Sequence, residues 1–112
     1  MKIDVRKKGK ICIVDISGEI KIGPATTQLR DKSKELLGSG ERTFVYNMSR
    51  VPWVDSSGVG EVVACRNRVV DRDGQIKVVL EGKAHDIFVK SELQKVMEIY
   101  EDLEEALASF AQ

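Results

Sequence analysis

The chain is poor in the residues from which metal and redox centres are made. It has two cysteines and one histidine in 112 residues. Cys12 falls in a predicted strand and Cys65 in a predicted helix, so they form neither a metal knuckle nor a redox pair. They read as small buried apolar residues in a reducing cytoplasm. His85 alone leaves little room for a metal site, and no metal or other cofactor is expected. Net charge is also lacking, because 18 basic residues balance 18 acidic ones. Nucleic-acid binders usually carry a basic excess, which disfavours that class. No apolar run approaches the ~18 residues of a membrane span. The opening residues, 1–6, alternate polar and apolar like a strand and have no signal-peptide core. There is no internal repeat, low-complexity tract or linker. A single cytoplasmic domain over residues 1–112 is expected, without membrane attachment.

What the chain has is an alternation of strand-like runs and helical stripes. Ile3 and Val5 alternate with Lys2, Asp4 and Arg6, predicting a strand with one wet face. A turn around Gly9 then returns the chain as the apolar run 11–16, an antiparallel hairpin. Pro24 suits the first turn of a helix whose inner stripe is Ala25, Leu29, Ser33, Leu36 and Leu37. Residues 38–40, Gly-Ser-Gly, end it. A buried strand follows at 43–48, then a helix with Val59, Val62, Val63, Arg66, Val69 and Val70 at helical spacing. Residues 71–74 close that helix. Further strands are expected at 76–80 and 96–100. A short helix carries Ala84, Ile87 and Phe88, and a last amphipathic helix Leu103, Ala106, Leu107 and Phe110. The acidic residues at 101–105 match the positive end of that helix dipole. The pattern predicts an α/β fold: a mixed four- to five-stranded sheet packed by about four helices.

Asp55, Ser56 and Ser57 fall where the 43–48 strand gives way to a helix, at the edge where open α/β sheets place their sites. On local grounds, any of the three serves as an N-cap, and the following glycines permit the turn. Pro52 cannot continue a strand ladder, so the chain leaves the sheet before the serines. Trp53 has two readings, a cap over the core or an exposed interface anchor, with the core reading favoured. A nucleophilic serine needs a nearby base and an orienting group. Val54, not glycine, lies two residues before Ser56, so the Gly-x-Ser-x-Gly elbow is absent. No Gly-x-x-x-x-Gly-Lys loop is present either. An enzyme is therefore not expected.

Asp55-Ser56-Ser57-Gly58-Val59-Gly60 between strand and helix, with Ile16-Ser17-Gly18-Glu19-Ile20 upstream and Gly74-Gln75-Ile76-Lys77-Val78-Val79 downstream, resembles the STAS domains. These include the bacterial anti-sigma factor antagonists. The resemblance implies that Ser56, the first serine after the aspartate, is phosphorylated by an anti-sigma factor with serine kinase activity, and that a serine phosphatase resets it. Ser57 is then expected to support the helix start. The partner surface would comprise Asp55, Ser56, Ser57, Gly58, Val59 and Gly60, with Lys21 and Trp53. The alternative within the family is a subunit of another assembly, such as a transporter component, working without phosphorylation. Lys21 stands where the family often has an acidic residue, and Asn47 where many members have aspartate. Both are expected near the signature loop.

Overall fold

The computed structural model describes residues 1–110. Its strands are β1 (Lys2–Lys8), β2 (Ile11–Ser17), β3 (Thr43–Arg50), β4 (Gln75–Val79) and β5 (Glu98–Tyr100). Its helices are α1 (Pro24–Gly38), α2 (Ser56–Asp71), α3 (Gly82–Lys90) and α4 (Leu103–Ala108), with a 3₁₀ turn at Leu93–Lys95. The strands lie in the order β1-β2-β3-β4-β5. β1 pairs antiparallel with β2, and the other three pairings are parallel. The expected mixed sheet is present with all five strands.

The period of two along each strand decides which face each side chain meets. Cys12, Val14, Ile16, Phe44, Tyr46, Met48, Ile76, Val78 and Leu80 form one core with α1, α2 and α3. The intervening Ile13, Val45 and Val79 form a second, smaller core with Ala106 and Leu107 of α4. Lys77 also lies on the α4 side. Its ammonium group stands 4.1 Å from the Phe110 ring centroid and 5.7 Å from that of Tyr100, in cation–π range.

Several elements depart from the periodicity. β1 is an edge strand with Ile3 only half-buried and Val5 exposed, so most of it is wet on both faces. The expected turn at Gly9 takes a positive φ of 60°. The buried line of α2 is Gly58, Glu61, Val62, Cys65 and Val69. Val59 and Val63 lie at its margin and Val70 is exposed. The helix is rolled toward Gly58 because that residue admits a neighbouring carbonyl where a side chain would hold the helix off. At the end of α2, Asp73, not glycine, takes the left-handed turn, with φ 61°. In α1, Thr26 is buried along with Leu29, Ser33, Leu36 and Leu37. Glu61 is nearly buried and accepts bonds from Arg30 Nε at 3.2 Å and Arg68 Nη1 at 3.0 Å, joining α1 to α2.

Candidate functional site

The site begins where β2 and β3 stop being regular strands. A register shift between Asp15 and Ser17 loosens the β2–β3 ladder. Beyond it, the Gly18 N–H donates to the Arg50 carbonyl at 3.1 Å. The two chains then run side by side out of the sheet and pair once more at Ile20 and Val54. The Ile20 N–H donates to the Trp53 carbonyl at 3.1 Å, and the Asp55 N–H to the Ile20 carbonyl at 3.2 Å. This places residues 20–23 directly beside the serine loop, as expected for the loop that carries Lys21.

Asp55 is the N-cap of α2, in extended conformation with φ −91° and ψ −178°. Its Oδ1 accepts from the Gly58 N–H at 2.8 Å, satisfying an amide that the helix itself leaves unpaired. Its Oδ2 accepts from the Ile22 N–H at 3.0 Å. The amides of Ile22 and then Gly58 hold its carboxyl below the usual carboxylate range, because both bonds favour the charged form. Of the three candidate caps, the aspartate does the capping. Ser56 and Ser57 are the first two residues of the helix. The support expected from Ser57 therefore comes from Asp55 instead. Ser56 is exposed and Ser57 half-buried.

Gly58 faces the Ile20 carbonyl so closely that a Cβ there would lie 2.3 Å from the oxygen. Glycine is thus required by contact, since Gly58 does not have a positive φ. Gly60 has open space around it, is exposed, and Val59 packs partly on the core.

Trp53 is 41% exposed, which corrects the core reading. Val51 and Val54, at 2% and 1% exposure, fill the inward positions on either side of it. Pro52 and Trp53 are left on the outside of the bend. Lys21 is exposed, and its ammonium pairs with Glu19 at 3.2 Å. The residue that sequence reasoning missed is Ile22, 75% exposed beside the loop. Isoleucine by itself signals burial, and only the course of the loop, tied to Asp55 through the Ile22 amide, leaves the side chain outside.

Asn47 is on the opposite face from α2, which corrects its placement near the signature. It donates from Nδ2 to Asp15 Oδ1 at 2.8 Å, and Arg6 Nε donates to Asp15 Oδ2 at 2.6 Å. Burial pushes the Asp15 carboxyl up, but the bonds from Arg6 and Asn47 and the charges of Arg6 and Arg50 outweigh it and bring it below its ordinary value. An aspartate at position 47 would set a second carboxylate against Asp15 and remove that donor. These groups line an open polar hollow of about 690 Å³. His85 lies on α3, with Nδ1 3.8 Å from Asp86 and Nε2 3.7 Å from Glu101. Among the described residues no cluster of three or more His, Cys, Asp or Glu side chains has metal-binding geometry. No described helix is long and apolar enough to cross a membrane.

The fold is shared with solved structures. An anti-sigma factor antagonist from Mycobacterium paratuberculosis superposes with a TM-score of 0.86 at 22% identity, covering 99% of this chain and 94% of that one. The Bacillus cell fate determinant SpoIIAA in its phosphorylated form gives 0.73 at 22% identity over 97% and 99% of the two chains. The anti-sigma factor antagonist SpoIIAA in its unphosphorylated form gives 0.74 at 19% identity over 98% and 97%. At these identities the likeness is one of fold. No curated protein matches the sequence significantly. The family model for the STAS domain matches residues 2–106, nearly the whole chain, and the protein belongs to the STAS domain family.

Proposed function

We propose that this protein is an anti-sigma factor antagonist switched by phosphorylation of Ser56. The observation that carries the reading is the division of labour at the start of α2. Asp55 holds the helix start, so the exposed Ser56 hydroxyl has no structural duty there. In the unphosphorylated state the protein binds an anti-sigma factor with serine kinase activity, and a sigma factor is released. The kinase then directs the Ser56 Oγ onto the γ-phosphorus of ATP. An O–P bond forms, the bond to the β-phosphate breaks, ADP leaves, and the serine proton passes to a base of the kinase. A serine phosphatase hydrolyses the ester and resets the cycle, which runs in the bacterial cytoplasm. In this cycle the chain is the substrate of the two enzymes, not a catalyst.

The physics suits a switch read by a partner. The phosphate brings a charge of about −1.5 to −2 at neutral pH. It arrives at a helix N-terminus, where the dipole favours an anion by roughly 0.3–1 kcal/mol. Repulsion from the Asp55 carboxylate opposes that gain, so the fold changes little. Against a packed or acidic partner surface the same charge costs several kcal/mol, and each ~1.4 kcal/mol is tenfold in affinity.

The test is incubation with the cognate serine kinase and ATP, followed by phosphopeptide mapping and partner-binding measurements before and after. Label on Ser56 with weakened binding is expected. Label elsewhere, or undiminished binding by fully phosphorylated protein, would overturn the reading.

A further inference from the structure

Ile22, 75% exposed, is bared further than Trp53 at 41% or Val96 at 52%. A single exposed apolar side chain is ordinary on a protein surface. What distinguishes Ile22 is that its backbone is held while its side chain is not covered. The preceding Ile20 is fully buried and bridged to Val54. Its own amide donates to Asp55 Oδ2 at 3.0 Å, and Gly23 follows with φ 115° as the N-cap of α1. Trp53 is presented from the paired segment, its carbonyl accepting from the Ile20 amide. Two large apolar side chains thus stand on two joined loops, one of which leads directly into Asp55 and Ser56. An apolar side chain on a backbone already fixed in place costs less conformational entropy to order on binding than one on a free loop.

We propose that Ile22 is an apolar anchor of the surface that engages the serine kinase, and that Asp55 is the positioning residue that holds it out. The inference rests on the reading of Ser56 as the phosphorylated serine. A kinase that brings ATP to the Ser56 hydroxyl has to surround that residue, and the Asp55 bond puts the Ile22 loop within the area it covers. The occupant is therefore the same partner that reads the serine. One carboxylate couples three things: the start of α2, the presentation of Ser56 and the position of Ile22.

The experiment uses the full chain and the purified serine kinase that labels wild-type Ser56 from γ-labelled ATP. Ile22→Ser is expected to raise KM about tenfold with kcat within about twofold, the signature of lost uniform binding. Val96→Ser, at the far end of the strands beside Gly74 and Gln75, is expected to leave both constants unchanged. Asp55→Asn separates the two duties of the aspartate. Asparagine caps helices as well as aspartate does, so its oxygen keeps Gly58 while its amide nitrogen offers Ile22 no acceptor. Hydrogen exchange at the Ile22 amide should quicken at least tenfold, KM should rise with it, and the protein should still melt cooperatively, at a modestly lower temperature at neutral pH because the ionised carboxylate no longer contributes. A wild-type KM for Ile22→Ser overturns the anchor. Unchanged exchange at Ile22 in Asp55→Asn, or faster exchange with unchanged KM, overturns the positioning role. If no serine kinase labels wild-type Ser56, the functional reading fails and the anchor with it. A labelled wild type with indifferent variants removes the inference alone.

Discussion

The amide of Ile22 donates to the carboxylate of Asp55 across 3.0 Å, although 33 residues separate them in the chain. The other oxygen of the same carboxylate caps α2 through Gly58. The loop after β2 and the helix after β3 therefore share one charged group. Disturbing that group disturbs both, and its protonation gives the first prediction.

Both bonds to Asp55 stabilise its ionised form, so its folded pKa lies below the unfolded value of about 3.9. A depressed carboxyl contributes stability that is fully present above the unfolded value and is lost as the pH falls through the folded one. Asp15, also depressed, contributes with the same sign. Stability should thus fall as the pH drops below about 4, and Asp55→Asn should flatten part of that fall. Urea titrations of both proteins from neutral pH downward check it. Identical pH slopes would refute the assignment, as would an NMR titration placing Asp55 at or above its ordinary value.

Gly58 and Gly60 should respond oppositely to alanine. At Gly60 a Cβ meets nothing within 4 Å, and Gly60→Ala should gain roughly 0.5–1 kcal/mol from helix propensity. At Gly58 the Cβ would sit 2.3 Å from the Ile20 carbonyl oxygen, a backbone atom that cannot swing aside. Gly58→Ala should lose about 1–3 kcal/mol and separate residues 20–23 from α2. Denaturant midpoints measured side by side test the pair. Two changes of the same sign would be inconsistent with this geometry.

The serines should separate cleanly. Ser57 does not cap the helix, so Ser57→Ala should stay within about 0.5 kcal/mol of wild type and remain a kinase substrate. Ser56→Ala should also fold normally, take no phosphate, and stay locked in the binding-competent form. Thermal melts paired with a kinase assay decide the matter. Phosphate incorporation into Ser56→Ala at the wild-type rate would sink the assignment.

Glu61 binds two arginines from a nearly buried position, while Arg30 and Arg68 keep side-chain exposures of 42% and 24%. Breaking a fully buried pair costs about 3–5 kcal/mol, and the partial exposure of the arginines scales this down to about 1–3 kcal/mol for Glu61→Ala. Glu61→Gln should fall between that variant and wild type, because the amide oxygen still accepts a bond. Urea unfolding at two salt concentrations measures both. A neutral Glu61→Ala would show that the α1–α2 contact does not depend on the ion pairs.

Much of the architecture was legible because it rests on local chemistry. The apolar run 11–16 after a glycine turn specified a hairpin, since so short a connection leaves only an antiparallel return. Pro52 marked where β3 releases the chain, and Pro24 where α1 begins. The order Asp55-Ser56-Ser57-Gly58 placed a cap before a helix, but three adjacent polar residues of similar capping strength left the capping residue open.

Tertiary structure decided what depends on distant neighbours. Which aspartate oxygen meets which amide follows from the renewed pairing of Ile20 with Val54, a contact between loops with no periodicity to announce it. The roll of α2 toward Gly58 depends on the Ile20 carbonyl, so valine spacing alone, with candidates on two adjoining faces, left the buried line undecided. Trp53 and Ile22 point to water for the same reason. Hydrophobicity states a side chain's preference for burial, whereas the course of the backbone determines whether the core has room on that side. Here Val51, Val54 and Ile20 fill the inward positions, and Trp53 and Ile22 stay outside.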